Sequence, residues 1–175
     1  MQVEPDQLYY QIGIRSHGKG IFHKDPVTGK ELGNKRVYWV EPGDFVLNIV
    51  FAWEDAVALV SEFEQGMCGS HRFPTFEINT ELCLPEFLLF YFKTPNGVRQ
   101  LEDVSPGGAG RNKTLNQSDF VRLKIPLPSL QVQCEIVESL QTHDDAIHAM
   151  QAERDSLRAV KRGLMQGLLS GRVRV

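Results

Sequence analysis

Charge in this chain is sorted along the sequence in a way that bears on what the chain could bind. Residues 11–40 carry six Lys or Arg against two acids, and residues 41–64 carry six acids and no Lys or Arg. Such segregation supplies the one-sided electrostatic footprint that a polyanion needs, although the net charge of −3 does not demand one. Within the basic stretch, Arg15, His17 and Lys19 surround the pair Gly18 and Gly20, where the backbone could approach a phosphate. The same run fails as a dinucleotide fingerprint, because His23 takes the third glycine position and no helix is expected to follow. A glycine-rich turn with exposed bases is the other reading. Lys35 and Arg36 extend the basic segment. Ser70, His71 and Arg72 form a second candidate cluster, since arginine reads guanine through two parallel hydrogen bonds in the major groove. Arg72 could equally pair with an acid of residues 54–64. A third candidate lies in Gly107 to Thr114, one residue short of a phosphate-binding P-loop: Asn112 stands where that motif needs glycine. Arg111, Asn112 and Lys113 are then read as contacts to phosphates or bases, or as a solvated loop.

Catalytic patterns find little support. No Asp or Glu has lysine at the second position after it, as a metal-dependent nuclease of the PD-(D/E)xK type needs. No Pro-Pro occurs to build an amino-methyltransferase loop, and no Gly-x-Ser-x-Gly elbow is present. Cys68, Cys83 and Cys134 are odd in number and widely spaced, which argues against a zinc site or a disulfide framework and for a reducing compartment. No catalytic and no metal-binding residues are assigned. No apolar leader and no 18-residue apolar run is present, so a soluble, cytoplasmic protein without membrane contact is expected.

The elements that would position these residues are short. Leu8 to Ile14, Ile21 to His23, Arg36 to Val40 and Phe45 to Phe51 read as strands. Arg15 to Gly20 and Asp25 to Lys30 read as turns, and Ala52 to Asp55 as a helical turn. Pro85 is placed to open a dense apolar helix over Phe87 to Phe92, closed by Thr94-Pro95, with a second short helix from Gly97 to Val104. Asp119 to Lys124 is expected as a last strand. Strands followed by helices without regular alternation indicate an α+β domain.

After Ile125-Pro126-Leu127-Pro128 the pattern changes. Two prolines in four residues stop any helix from upstream, and Ser129 is placed to cap a new one. From there to Leu169 no proline occurs, and apolar residues return in steps of four and three at Ile136, Leu140, Ile147, Met150, Leu157, Leu164 and Leu168. His143, Arg154 and Lys161 interrupt that seam. The spacing predicts a helix-pairing face on a rod about 60 Å long, at ~1.5 Å per residue. A bare rod of this length needs another helix against its seam.

The segment from Ile125 to Val137 resembles "IPLPPLxEQxxIV" of the specificity subunits of type I restriction-modification systems, with the Glu-Gln pair read as permuted around Cys134. Gly18-Lys19-Gly20-Ile21-Phe22, Pro42-Gly43-Asp44, Phe51 to Ala56, Ser70 to Phe76, Ser105-Pro106-Gly107 and the terminus from Leu164 to Val175 look like further landmarks of that family. The resemblance implies a DNA-binding target-recognition domain over residues 1–128 and a spacer or dimerisation helix with a short tail over 129–175. It implies a half-length, non-catalytic reader of one half of a split site in double-stranded DNA. Its partners would be methyltransferase subunits, a restriction and motor subunit, and a second copy or another specificity half paired through the helix. S-adenosylmethionine, Mg and ATP would sit on those partners and none on this chain. The competing reading is a coiled-coil assembly module whose globular part binds protein.

Overall fold

A computed structural model describes residues 1–108 and 113–171. The chain runs β1 (Leu8–Tyr9), β2 (Ile12–Ile14), β3 (Ile21–His23), β4 (Val27–Thr28), α1 (Gly29–Leu32), β5 (Val37–Trp39), β6 (Phe45–Leu47), β7 (Val57–Leu59), β8 (Cys68–Ser70) and β9 (Thr75–Phe76). Helices α2 (Pro85–Lys93), α3 (Pro95–Asp103), α4 (Gln117–Phe120) and α5 (Leu130–Leu169) follow. The class is α+β, as expected. Two compact units divide it, Met1–Cys134 and Glu135–Val175.

The first unit is built around β6. All three of its side chains are buried, but they serve opposite faces, as the two-residue period of a strand requires. Val46 joins Ile12, Ile14, Val40 and Met67, while Phe45 and Leu47 join Phe92, Leu101, Leu115 and Phe120. Strand β6 lies between β7 and β9, antiparallel to both, with Phe45 opposite Leu59 on one side and Phe76 on the other. A strand buried on both faces has to be apolar throughout, which is why its sequence shows no alternation. Three further two-stranded ladders pair β1 with β4, β2 with β3 and β5 with β8.

Helix α2 begins at Pro85 and buries Phe87 and Phe92. Phe92 packs on Phe45 and Phe120, with ring centroids 5.6 and 5.5 Å apart. Thr94 both ends α2 and caps α3, its hydroxyl oxygen accepting from the Gly97 amide. A Cβ at Gly97 would collide with the Tyr91 carbonyl, so this glycine permits the tight corner between the two helices.

Two expectations are corrected. Asp25 to Lys30 is not simply a turn: Val27–Thr28 pairs with β1, and Thr28 with Glu31 then forms a capping box that starts α1. Asp119 to Lys124 is not a strand. The Asn116 side chain accepts from the amides of Ser118 and Asp119 and nucleates α4, and Phe120 turns into the aromatic core. Local capping and one buried ring override the weak strand pattern there.

Helix α5 spans forty residues. The carbonyl of Ser129 accepts from the Gln133 amide, the first helical hydrogen bond. Gln133 is fully buried; its Oε1 accepts from the Leu84 amide, and its Nε2 donates to the carbonyls of Leu82 and Pro128. Residue by residue, the segment therefore keeps the family's glutamine in place and has Val132 where the glutamate stands; it is not permuted.

Candidate nucleic-acid interface

The β5–β8 ladder brings together five of the eleven candidate residues: Ser70 lies on β8, and Lys35, Arg36, His71 and Arg72 lie within two residues of the strand ends. Its register sets Val37 opposite Ser70, and beyond it the His71 amide donates to the Arg36 carbonyl at 3.1 Å. Arg36 and His71 are thus held side by side, with Lys35 and Arg72 next to them in sequence. Lys24 joins this group, although the sequence did not single it out. Its ammonium lies 5.1 Å from the centre of the Phe73 ring. Burial holds the Lys24 ammonium below its usual pKa, and the positive charges of Lys35 and Arg72 push the same way. A cation pressed by two others is a site that an anion would relieve. The clue in the sequence was the excess of bases over residues 11–40, without a motif to mark this one.

The acids do not neutralise the group. Among the described residues Arg72 makes no ion pair. Glu64, the most buried acid of the acidic stretch, is taken by His23 (2.6 Å) and by the hydroxyl and amide of Ser61. Burial pushes the Glu64 carboxyl up, but the hydrogen bonds from Ser61 and His23 outweigh it and leave the carboxyl below its ordinary value.

Beside this group opens a groove of about 550 Å³, lined by Tyr38 and Trp39 of β5, His71, Phe73, Thr75 of β9 and Gln117 of α4, with Ile49 and Pro74. Tyr38 and Trp39 are exposed, 50% and 42%, which is high for large aromatics in a folded unit. Trp39 is fixed by packing on the ring of Tyr9, centroids 6.0 Å apart. Tyr38, Trp39, Thr75 and Gln117 escaped the sequence analysis, because their meeting depends on the pairing of β5 with β8 and on α4.

The loop from Arg15 to Gly20 lies at the other end of the β2–β3 hairpin from Lys24, as the register of Ile12 with His23 and Ile14 with Ile21 dictates. The amides of His17 and Gly18 donate to the carbonyls of Glu54 (2.7 Å) and Asp55 (2.9 Å). His17 and Asp55 both adopt positive φ, 62° and 59°. Arg15 lies 4.8 Å over the Phe22 ring, and Lys19 is exposed. Burial raises the Asp55 carboxyl to about 6 against the pull of Lys93 and His17, and its Oδ1 has no hydrogen-bond partner among the described residues.

The third candidate is only partly visible: Arg111 and Asn112 lie outside the described residues. Lys113 is half-buried, ion-paired with Glu102 and 5.1 Å above the Trp53 ring. The structure therefore groups Lys35, Arg36, Ser70, His71 and Arg72, places Arg15, His17 and Lys19 on a separate loop, and gives Lys113 partners of its own. Among the described residues no three His, Cys, Asp or Glu side chains meet as a metal site, and no helix is long and apolar enough to cross a membrane.

Comparison with known proteins supplies the remaining link. The profile described as "Type I restriction modification DNA specificity domain" matches residues 23–159. Over 69 residues, 39% of this chain and 16% of the other, it is 35% identical to the putative type I restriction enzyme MjaX specificity subunit of Methanocaldococcus jannaschii. Among solved structures it is similar to the HsdS subunit from Thermoanaerobacter tengcongensis, with a TM-score of 0.70 and 22% identity over 93% of this chain and 42% of that one. It is also similar to a chain from a study of complex assembly and conformational transition of the type I R-M system, with a TM-score of 0.68 and 20% identity over 99% of this chain and 47% of that one. The chain thus spans less than half the length of each of these proteins. The structural likenesses agree on the fold, and the profile covers most of the chain, from β3 well into α5: the chain belongs to the type I restriction modification DNA specificity domain family.

Proposed function

We propose that this chain reads sequence in double-stranded DNA for a type I restriction-modification enzyme, specifying one half of a bipartite site. The observation that carries the reading is the cationic group of Lys24, Lys35, Arg36 and Arg72, which makes no ion pair among the described residues, beside an open groove in the unit where most of the family match lies. Cations of this kind neutralise phosphates and set the protein's register on the duplex, while the groove is left for base edges. The reader itself performs no covalent step. Methyltransferase subunits would dock on it and use S-adenosylmethionine, a restriction and motor subunit would use ATP and Mg, and α5 would pair with a second copy or another specificity half. Support for that pairing is the exposure of the α5 seam: Ile147, Met150, Leu157 and Leu164 stand 49 to 68% exposed.

The test is the salt dependence of duplex binding. Phosphate neutralisation releases counterions, so the logarithm of affinity should fall linearly with the logarithm of salt concentration. Replacing Arg72 or Lys24 with Ala should each lower that slope by about one unit. Lys19→Ala asks the same of the separate loop. A chain that binds duplex without salt dependence, or a globular unit that binds only protein, would return the assembly module as the better reading.

A further inference from the structure

We infer that the groove between β5 and α4 reads an A·T base pair in the major groove, with Gln117 as the residue that sets the preference; the inference rests on the reading of the chain as a DNA-sequence reader. The chemistry of the lining leads to it. The Gln117 side-chain amide, the Trp39 indole N–H and the Tyr38 hydroxyl make no hydrogen bond to the described residues, while all three border the groove. Gln117 is held in place by its neighbours. The Asn116 side chain caps the turn on one side of it, and Phe120 anchors the turn in the aromatic core at 4.9 Å from Phe76. An exposed amide on a fixed backbone is a prepared donor and acceptor pair.

The pair matches one base better than the others. A glutamine amide can accept from adenine N6 and donate to adenine N7 at once. A guanine reader would call for an arginine facing the groove, and Arg36 and Arg72 flank the groove without lining it. Part of the groove's wall is apolar surface, from Phe73, Pro74, Ile49 and the ring of Trp39, beside the polar groups of Tyr38, His71 and Thr75. Such a wall suits the methyl group of thymine. Neighbouring charge fixes the class of occupant: Lys24, Lys35 and Arg72 favour a polyanion alongside, as a duplex laid over the groove would provide.

The experiment selects from randomised duplexes with the full chain and compares wild type with Gln117→Ala and Gln117→Arg. Gln117 is exposed, so these variants keep the core intact. Wild type should select a motif containing an A·T position that Gln117→Ala relaxes by about tenfold, with Gln117→Arg moving that position toward G·C. A second measurement leaves the protein untouched. Deoxyuridine in place of thymidine at that position removes one methyl group and should weaken wild-type binding about fourfold. If Gln117→Ala selects the wild-type motif with undiminished preference, the inference is overturned while the DNA-reading function stands. If loss of the methyl group has no effect at the position Gln117 controls, the apolar wall is not reading thymine and the inference is likewise overturned. A wild-type chain that selects no sequence removes the proposed function itself.

Discussion

Asp55 shows most sharply how one residue can be asked to do two things. Its carbonyl holds the Gly18 amide and so helps anchor the Arg15 to Gly20 loop, and its φ of 59° lies where Asn is better tolerated than most residues. Its carboxylate meanwhile carries a charge in a partly buried place, raised to about 6. The sign of the linkage follows. Below pH ~3.9 the carboxyl is neutral in the folded and unfolded chain alike, and its environment costs nothing. As the pH rises through about 6 the folded chain must ionise it in a poorly solvated site, and stability is lost. Asp55→Asn keeps the backbone geometry without the charge. It should therefore melt near wild type at pH 4 and above it at pH 8, by about 1 kcal/mol once partial exposure is discounted. Thermal melts of both proteins across that range check this, and parallel curves would assign the charge no cost. Lys113 teaches the complementary lesson: a lysine in a glycine-rich loop looks available from sequence, yet here an acid and an indole already hold it.

The elements were legible where one local rule governed them and obscure where a distant partner did. The unbroken helix after two prolines, the apolar run of α2 and the doubly buried β6 each announce themselves by period or composition. Helix α4 does not, because its four residues obey the Asn116 cap and the pull of Phe120 toward Phe45 and Phe92. The groove was hidden for a similar reason: Tyr38, His71 and Gln117 are brought together only by tertiary pairing. Gln133 is the clearest case of an element secured by a single side chain. From the first turn of α5 it satisfies the part-buried Leu84 amide and the carbonyls of Leu82 and Pro128, and no apolar residue could do so. Gln133→Ala should destabilise the first unit by about 1–3 kcal/mol, since its three partners are only part-buried and water reaches some of them once the amide is gone. Gln133→Glu tests the same contact from another side. It keeps the acceptor for Leu84 but turns a carboxylate oxygen toward two carbonyl oxygens, so it should be at least as damaging at neutral pH. Urea denaturation measures both, and a loss under ~0.5 kcal/mol for the alanine variant would mean that water replaces the amide without penalty.

At the scale of the whole molecule the proposed pairing of α5 with a second copy makes a definite geometric demand. The exposed seam comprises Ile136, Leu140, His143, Ile147, Met150, Arg154, Leu157, Lys161, Leu164 and Leu168. In a parallel pair each residue meets its own copy, so Arg154 faces Arg154 and Lys161 faces Lys161, two like-charge layers in the middle of the contact. Reversing one helix about residue 152 changes every layer. Ile136 then meets Leu168, Leu140 meets Leu164, Ile147 meets Leu157, Met150 meets Arg154 and His143 meets Lys161. Each of these pairings occurs twice, so six of the ten layers stay wholly aliphatic, against seven apolar layers in the parallel pair; but no two permanent charges of one sign oppose each other, so the antiparallel dimer is the expected one. Cys134 is the exposed cysteine and is replaced by Ser for the test. In that background Leu140→Cys alone should not cross-link, whereas Leu140→Cys with Leu164→Cys in one chain should form intermolecular disulfides. Efficient cross-linking of Leu140→Cys alone would establish the parallel pair instead. Leu140→Glu with Ile147→Glu should leave a monomer by light scattering. An antiparallel dimer carries a two-fold axis across the rod, and a two-fold axis obliges both recognition units to read the same half-site on opposite strands. The target should then be an inverted repeat interrupted by a gap of constant length. Methylome sequencing of a host carrying this chain with the methyltransferase subunit proposed to dock on it reads that directly, and an asymmetric split site with this chain as the sole reader would refute the two-fold dimer.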